Sequence, residues 1–314
     1  MGKKKEHRNL IRLAIVAAVL FGVVVAAFYP GVRYRATVLA RKLRGETPLA
    51  SWSQIAVVMA PSPLRPLLRN LMSETPTLPQ WIETLNFPAD IDTPHKEYTI
   101  FNGPTATMKS LDCHFSVLRA GETPHPPHQH PEEELIVPLE GALEVIRVDP
   151  EDSSKRTTEE IGRRQFVFHA ANHPHTLRAP GPGPSTYLVL KWSGRSMNLA
   201  DASLRSSTYD ARQALLAMPT RGYETASLFE SGTAQLGKLQ AHVGRMLPGA
   251  GYDPHRDGYD VAIIVFDGAV ETLGQRVGPR SVIFYPADLP HGMKNAGDEP
   301  THYLVFEFHG AVSR

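Results

Sequence analysis

From Tyr98 onward the chain is a succession of short apolar runs broken by glycine- and proline-bearing turns, a pattern that predicts strands. Leu135-Ile136-Val137 leads through Gly141 into Leu143 to Val148 and then Gln165 to His169. A turn with His173, Pro174 and His175 follows, and then a closing run from Thr186 to Trp192. The same order of parts returns: Val261 to Phe266, Gly268, Val270 to Leu273, Ser281 to Tyr285, a turn ending in Pro290 and His291, and Tyr303 to Phe308. The closing runs, STYLVLKW and THYLVFEF, are alike, and the repeated order is the mark of an internal duplication. Between the halves, Met197 to about Arg221 is polar and ends at Gly222, with Ala211 to Met218 readable as a short helix. The expected fold class is all-β, with domains over 96–195 and 223–314 joined by a linker over 196–222.

The N-terminus breaks this pattern. Lys3, Lys4, Lys5, Arg8 and Arg12 precede the apolar run Leu13 to Tyr29, and Arg33, Arg35, Arg41, Lys42 and Arg44 follow it. A run of this length is at the short end for a spanning helix, and the basic flank disfavours cleavage and export. Residues 1–30 are therefore expected to form a cytoplasmic tail and transmembrane anchor, and 31–95 a helical or irregular spacer. Arg35 to Arg44 fits a basic amphipathic helix on lipid headgroups, and Trp52 to Met59 and Leu64 to Met72 read as short helical pieces. The basic residues on the two flanks balance, so orientation rests on the Lys-rich terminus staying inside. The expected localisation is single-pass in a membrane, with the β domains on the non-cytoplasmic side.

Composition changes this picture in two ways. A net charge of +1 gives no case for nucleic acid, and the single cysteine, Cys113, excludes a disulfide framework or a thiolate zinc cluster within one chain. Any metal must then sit on histidine and carboxylate. The stretch Gly121 to Gly141 offers them: His128 and His130 are two apart, and Glu134 follows four further on. Alternate residues of a strand share a face, so two imidazoles can converge on one ion and a carboxylate can join them.

These residues resemble the cupin family, small jelly-roll (double-stranded β-helix) barrels whose two motifs line the barrel mouth with metal ligands. The spacing His128, His130, Glu134, Gly141 is similar to the first motif, although Gly121 sits one residue early. Gly162 and Asn172-His173-Pro174-His175 resemble the second motif, which puts His175 in the place of the fourth ligand. In the second half His255, Asp257 and His291 occupy ligand positions, and Val261 stands where the glutamate should be. Two imidazoles and a carboxylate are the ingredients of a facial triad, so a second metal site competes with a decayed barrel that only packs.

The resemblance implies two successive barrels and a divalent transition metal, iron first, with manganese, nickel, copper and zinc as alternatives. Such folds host many reactions, so fold alone selects none. The arrangement resembles bicupin dioxygenases, which implies an oxidoreductase acting on a small aromatic or enolic substrate, with Glu134 as ligand and catalytic base. An apolar lining is expected from Leu135, Val137, Phe166, Phe168 and Leu188, according to which alternate positions face inward. Glu132 and Glu133 read as a solvated rim. The rivals are a membrane-tethered binding or sensing module without turnover and a metal-dependent isomerase or hydrolase. The expected partners are a small-molecule substrate and, through the N-terminal helix, a membrane; association into a homo-oligomer stays open.

Overall fold

In both halves of the β-rich sequence the central runs are apolar at successive positions and buried on both faces, so each of these strands presents one face to a barrel interior and one to a neighbouring sheet. The computed structural model describes residues 77–88, 91–195, 202–218 and 222–311, all within the compact unit Thr77–Arg314. The first barrel contains β2 (His95–Gly103), β3 (Met108–Leu118), β4 (Glu133–Glu140), β5 (Leu143–Val148), β6 (Arg156–Ile161), β7 (Gln165–His169), β8 (His175–Arg178) and β9 (Ser185–Gly194). The second contains β11 (Tyr223–Ser231), β12 (Lys238–Met246), β13 (Gly251–His255), β14 (Asp260–Asp267), β15 (Val270–Thr272), β16 (Gln275–Val277), β17 (Ser281–Tyr285), β18 (His291–Asn295) and β19 (Thr301–His309). Two short strands, β1 (Trp81–Thr84) and β10 (Ser207–Asp210), precede and follow the first barrel, and α1 (Ala211–Ala217) follows β10.

Each barrel pairs a large sheet with a small one. The large sheets run β10-β7-β4-β9-β3-β2 and β1-β17-β14-β19-β12-β11, and the small ones β6-β5-β8 and β13-β18-β15-β16. The outer strands are exchanged: β1 lies against β17 of the second barrel, and β10 against β7 of the first. A stretch expected to be helical or irregular spacer thus supplies a strand, because Trp81 and Ile82 bury their side chains there.

Val145, Val167, Leu177 and Val189 are among the residues that fill the first interior, and Ile263, Ile283, Met293 and Val305 among those that fill the second. The alternate faces of the large sheets meet through aromatic rings, Phe166 on Phe306 at 5.1 Å and Trp192 on Phe308 at 5.2 Å. This corrects the expected cavity lining. Phe166 and Phe168 belong to that outward-facing set, and Leu135, Val137 and Leu188 share its parity, while Ile136, Val167 and Val189 point inward.

The expected membrane localisation is also corrected. Among the described residues no helix is long and apolar enough to cross a membrane; α1 has seven residues. The run Leu13 to Tyr29, and the helical pieces expected up to Met72, lie outside the described residues.

Candidate metal centre

The loop before β4 and the start of β8 lie side by side, with His128 and His175 exchanging two backbone hydrogen bonds of 3.1 and 2.9 Å. That bridge fixes the main chain beneath two of the expected ligands. His130 follows two residues after His128, and Glu134 lies near the start of β4, where its side chain shares the inward face with Ile136. One ring nitrogen from each of His128, His130 and His175 lies within 4.8 Å of the others.

Tautomers are set from behind. His130 Nδ1 lies 3.0 Å from the Glu132 carbonyl and His175 Nδ1 2.8 Å from the His173 carbonyl. A carbonyl can only accept, so each Nδ1 carries the proton and each Nε2 presents a lone pair to the centre. Glu134 meets these lone pairs, with Oε1 2.5 Å from His175 Nε2 and Oε2 3.7 Å from His130 Nε2. Glu134 Oε1 is nevertheless buried without a hydrogen-bond partner. A converging set of lone pairs around an unsatisfied buried carboxylate oxygen fits a divalent cation.

Electrostatics agree with that fit. Burial opposes ionisation of Glu134, yet the neighbouring His130 and His175 hold its carboxyl well below the usual range. Burial, with His125, His175 and His130 nearby, lowers His128 to about 4, which leaves its ring neutral for ligation. For His175 burial works downward, but Glu134 outweighs it and the net shift is upward, so an ion binding here takes the place of a proton on this ring.

Several participants are not visible as motif. His169 is 0% exposed, stacks on His175 at 4.0 Å, and has no hydrogen-bond partner on either ring nitrogen. It stands directly opposite Glu134 on β7. Lys191 stands opposite Glu134 on the other side, on β9, and lines the same cavity of about 190 Å³. Ile136, Leu177, Tyr187 and Val189 form its apolar wall. Burial pushes the Tyr187 hydroxyl up, so it stays protonated. Strand parity alone marks His169 and Lys191 as inward, since each shares a face with a core valine two residues away.

Glu133 corrects the expected solvated rim. It is 1% exposed and accepts from Thr233 Oγ1 at 2.5 Å, the Ala234 amide at 2.9 Å and Trp192 Nε1 at 3.2 Å. The carboxylate ties the first barrel to the loop before β12. Glu132 is half-buried, with Oε2 3.6 Å from His130 Nδ1.

In the second barrel the same register brings His255, Asp257 and His291 together. Asp257 Oδ2 lies 3.3 Å from His255 Nε2 and 3.3 Å from His291 Nε2. Carbonyls of Asp253 and Leu289 hold the two Nδ1 atoms at 3.2 and 2.9 Å. Val261, inward-facing and buried, occupies the place of Glu134. Tyr285 occupies the place of His169, stacked on His291 at 4.0 Å.

Comparison with known proteins agrees with this geometry. Residues 114–191, within the first barrel, match the family model described as "Cupin domain", while the second barrel lies outside that match. No curated protein matches the sequence. Among solved structures, the putative glyoxylate induced protein from Pseudomonas aeruginosa is similar with a TM-score of 0.55 at 10% identity, over 70% of this chain and 83% of its own. A mutant of Bacillus subtilis oxalate decarboxylase is similar with a TM-score of 0.50 at 14% identity, over 71% of this chain and 75% of its own. At these identities the likeness is one of fold.

Proposed function

We propose that the chain is a metal-dependent enzyme whose first barrel holds a first-row divalent ion on His128, His130, Glu134 and His175 and performs dioxygenase-type oxidation of a small enolic acid. The observation that carries this reading is Lys191, which lies opposite Glu134 in a cavity of about 190 Å³. Drug-sized ligands occupy roughly 300 Å³ or more, so the cavity favours a compact substrate over a polycyclic one. A bound ion would supply Lewis acidity and open positions for a substrate oxygen and dioxygen.

The chain's own groups divide the remaining work. The Lys191 ammonium binds the substrate carboxylate or enolate oxygen and sets its orientation. Glu134 is anionic and, with one oxygen given to the ion, takes the substrate's acidic proton at the other. The protonated Tyr187 hydroxyl donates a hydrogen bond, and Ile136, Leu177 and Val189 exclude water around the reacting atoms. His255, Asp257 and His291 form a three-donor set in the second barrel; lacking a glutamate at Val261, they would hold an ion less tightly.

The test is oxygen uptake by the iron-loaded full chain with a panel of small enediols, 2-oxo acids and catechols. Uptake with an enolic acid, lowered at least about 100-fold by Lys191→Ala or Glu134→Gln, is the expected outcome. Loaded protein that consumes no oxygen but releases carbon dioxide from the acids would make it a lyase. Loaded protein that turns over nothing would make it a binding module.

A further inference from the structure

The second barrel encloses the larger space, about 380 Å³ beneath His255, Asp257 and His291 against about 190 Å³ in the first. Strand register shows how the two interiors came to differ. In the first barrel Glu134 on β4 faces Lys191 on β9; in the second Val261 on β14 faces Glu307 on β19. The carboxylate has moved one strand over, onto the position of the cation. None of the residues lining the larger cavity is a lysine or arginine.

Glu307 is anionic: burial opposes it, but the bond from His309 Nε2 at 3.1 Å and the nearby His242 hold its carboxyl below the usual range. His242 Nδ1 lies 3.5 Å from Glu307 Oε1 and is buried without a hydrogen-bond partner. Tyr303, 1% exposed, lines the same cavity, and its hydroxyl is also buried without a partner. The backbone makes room for this ring: a Cβ on Gly244, in the register position of Ser116, would fall 2.1 Å from Tyr303. Burial pushes the hydroxyls of Tyr252 and Tyr259 up, so they remain neutral donors and acceptors.

A cavity lined by two carboxylates and by no lysine or arginine disfavours carboxylate and phosphate ligands. Its remaining polar groups, tyrosine hydroxyls, Gln240, Thr225 and Ser227, can both donate and accept. Hydroxyl-rich molecules have the same two-way character, and their C–H faces suit tyrosine walls. We propose that the second barrel binds a neutral polyhydroxylated molecule of monosaccharide size, with Glu307 accepting from adjacent hydroxyls and Tyr303 and His242 finding in it their missing partners. This site is separate from the first-barrel centre and does not depend on the reaction proposed there.

The test is calorimetric titration of the full chain with D-glucose, D-galactose, D-ribose and myo-inositol, with oxalate and choline as charged comparators. At least one neutral polyol should bind and neither comparator should compete with it. Tyr303→Phe, which keeps the ring and removes only an unpartnered hydroxyl, should weaken binding about tenfold, and Glu307→Gln at least as much. Lys191→Ala, in the first barrel, should leave it unchanged. Absence of polyol binding, indifference to both second-barrel substitutions, or a preference for choline or oxalate would each overturn the proposal.

Discussion

His169 shows how a single residue serves the centre without belonging to its motif. Its ring is a platform for His175, stacked with an interplanar angle of 11°, and Tyr285 repeats the arrangement beneath His291 at 19°. Tyr285 anchors its hydroxyl on Thr272 Oγ1 at 2.6 Å, whereas His169 anchors nothing. His169→Phe should therefore keep the bound metal and leave stability unchanged or raised by about 1 kcal/mol, since it removes two unpaired buried nitrogens. His169→Ala should lose about 3 kcal/mol by opening a cavity. Urea titration and metal content check both, and loss of metal in His169→Phe would make His169 a ligand. The donors His128, His130 and Glu134 were legible in sequence because one short stretch of chain carries them. Glu133 was not, because Thr233, the residue that buries it, is 100 positions away. Lys191 required the pairing of β4 with β9, which no local spacing reveals.

The strands themselves follow from short apolar runs, and the turns between them from glycine. Gly141 and Gly268 lie at equivalent turns with φ of 71° and 74°. A Cβ on Gly141 would approach the Pro184 carbonyl oxygen to 2.8 Å, and one on Gly268 the Pro300 carbonyl oxygen to 2.8 Å. Each is close to backbone that cannot yield. Gly141→Ala and Gly268→Ala should each cost about 1–3 kcal/mol, measured as a lowered urea midpoint. The duplication was legible at this scale, and so was the helix that appears as α1. The exchanged strands β1 and β10 were not: each has four residues, and its partner strand lies in the barrel farther along or back in the chain.

At the scale of the whole molecule the two barrels hold each other by reciprocal pins. Glu133 reaches Thr233 and Ala234 in the second barrel, and Asp260, its counterpart, accepts from Thr105 Oγ1 at 2.6 Å and Thr107 Oγ1 at 2.5 Å in the β2–β3 turn of the first. Arg164 pairs with Asp267, and Arg280 with Glu140, in the same reciprocal sense. Arg164 and Arg280 both carry positive φ, 66° and 61°. Burial raises the Asp260 carboxyl from 3.8 despite its hydroxyl donors. The folded chain therefore keeps that proton to higher pH than the unfolded chain, and stability from this group falls as pH rises through the window above 3.8. Compared with Asp260→Asn, the unaltered chain should be relatively most stable in acid and lose ground toward neutral pH, read as the difference in urea midpoints. Asp260→Ala, which strands both threonines, should cost about 2–4 kcal/mol.

Whether His128, His130, Glu134 and His175 hold a metal ion is decided by metal content per chain. The purified full chain should carry at least one equivalent of a first-row divalent metal by elemental analysis. The double substitution His128→Ala with Glu134→Ala should lose one equivalent while keeping the β-rich circular dichroism of the unaltered chain. A chain without metal after loading, or a double variant that retains as much as the unaltered chain, would contradict a metal site on these residues.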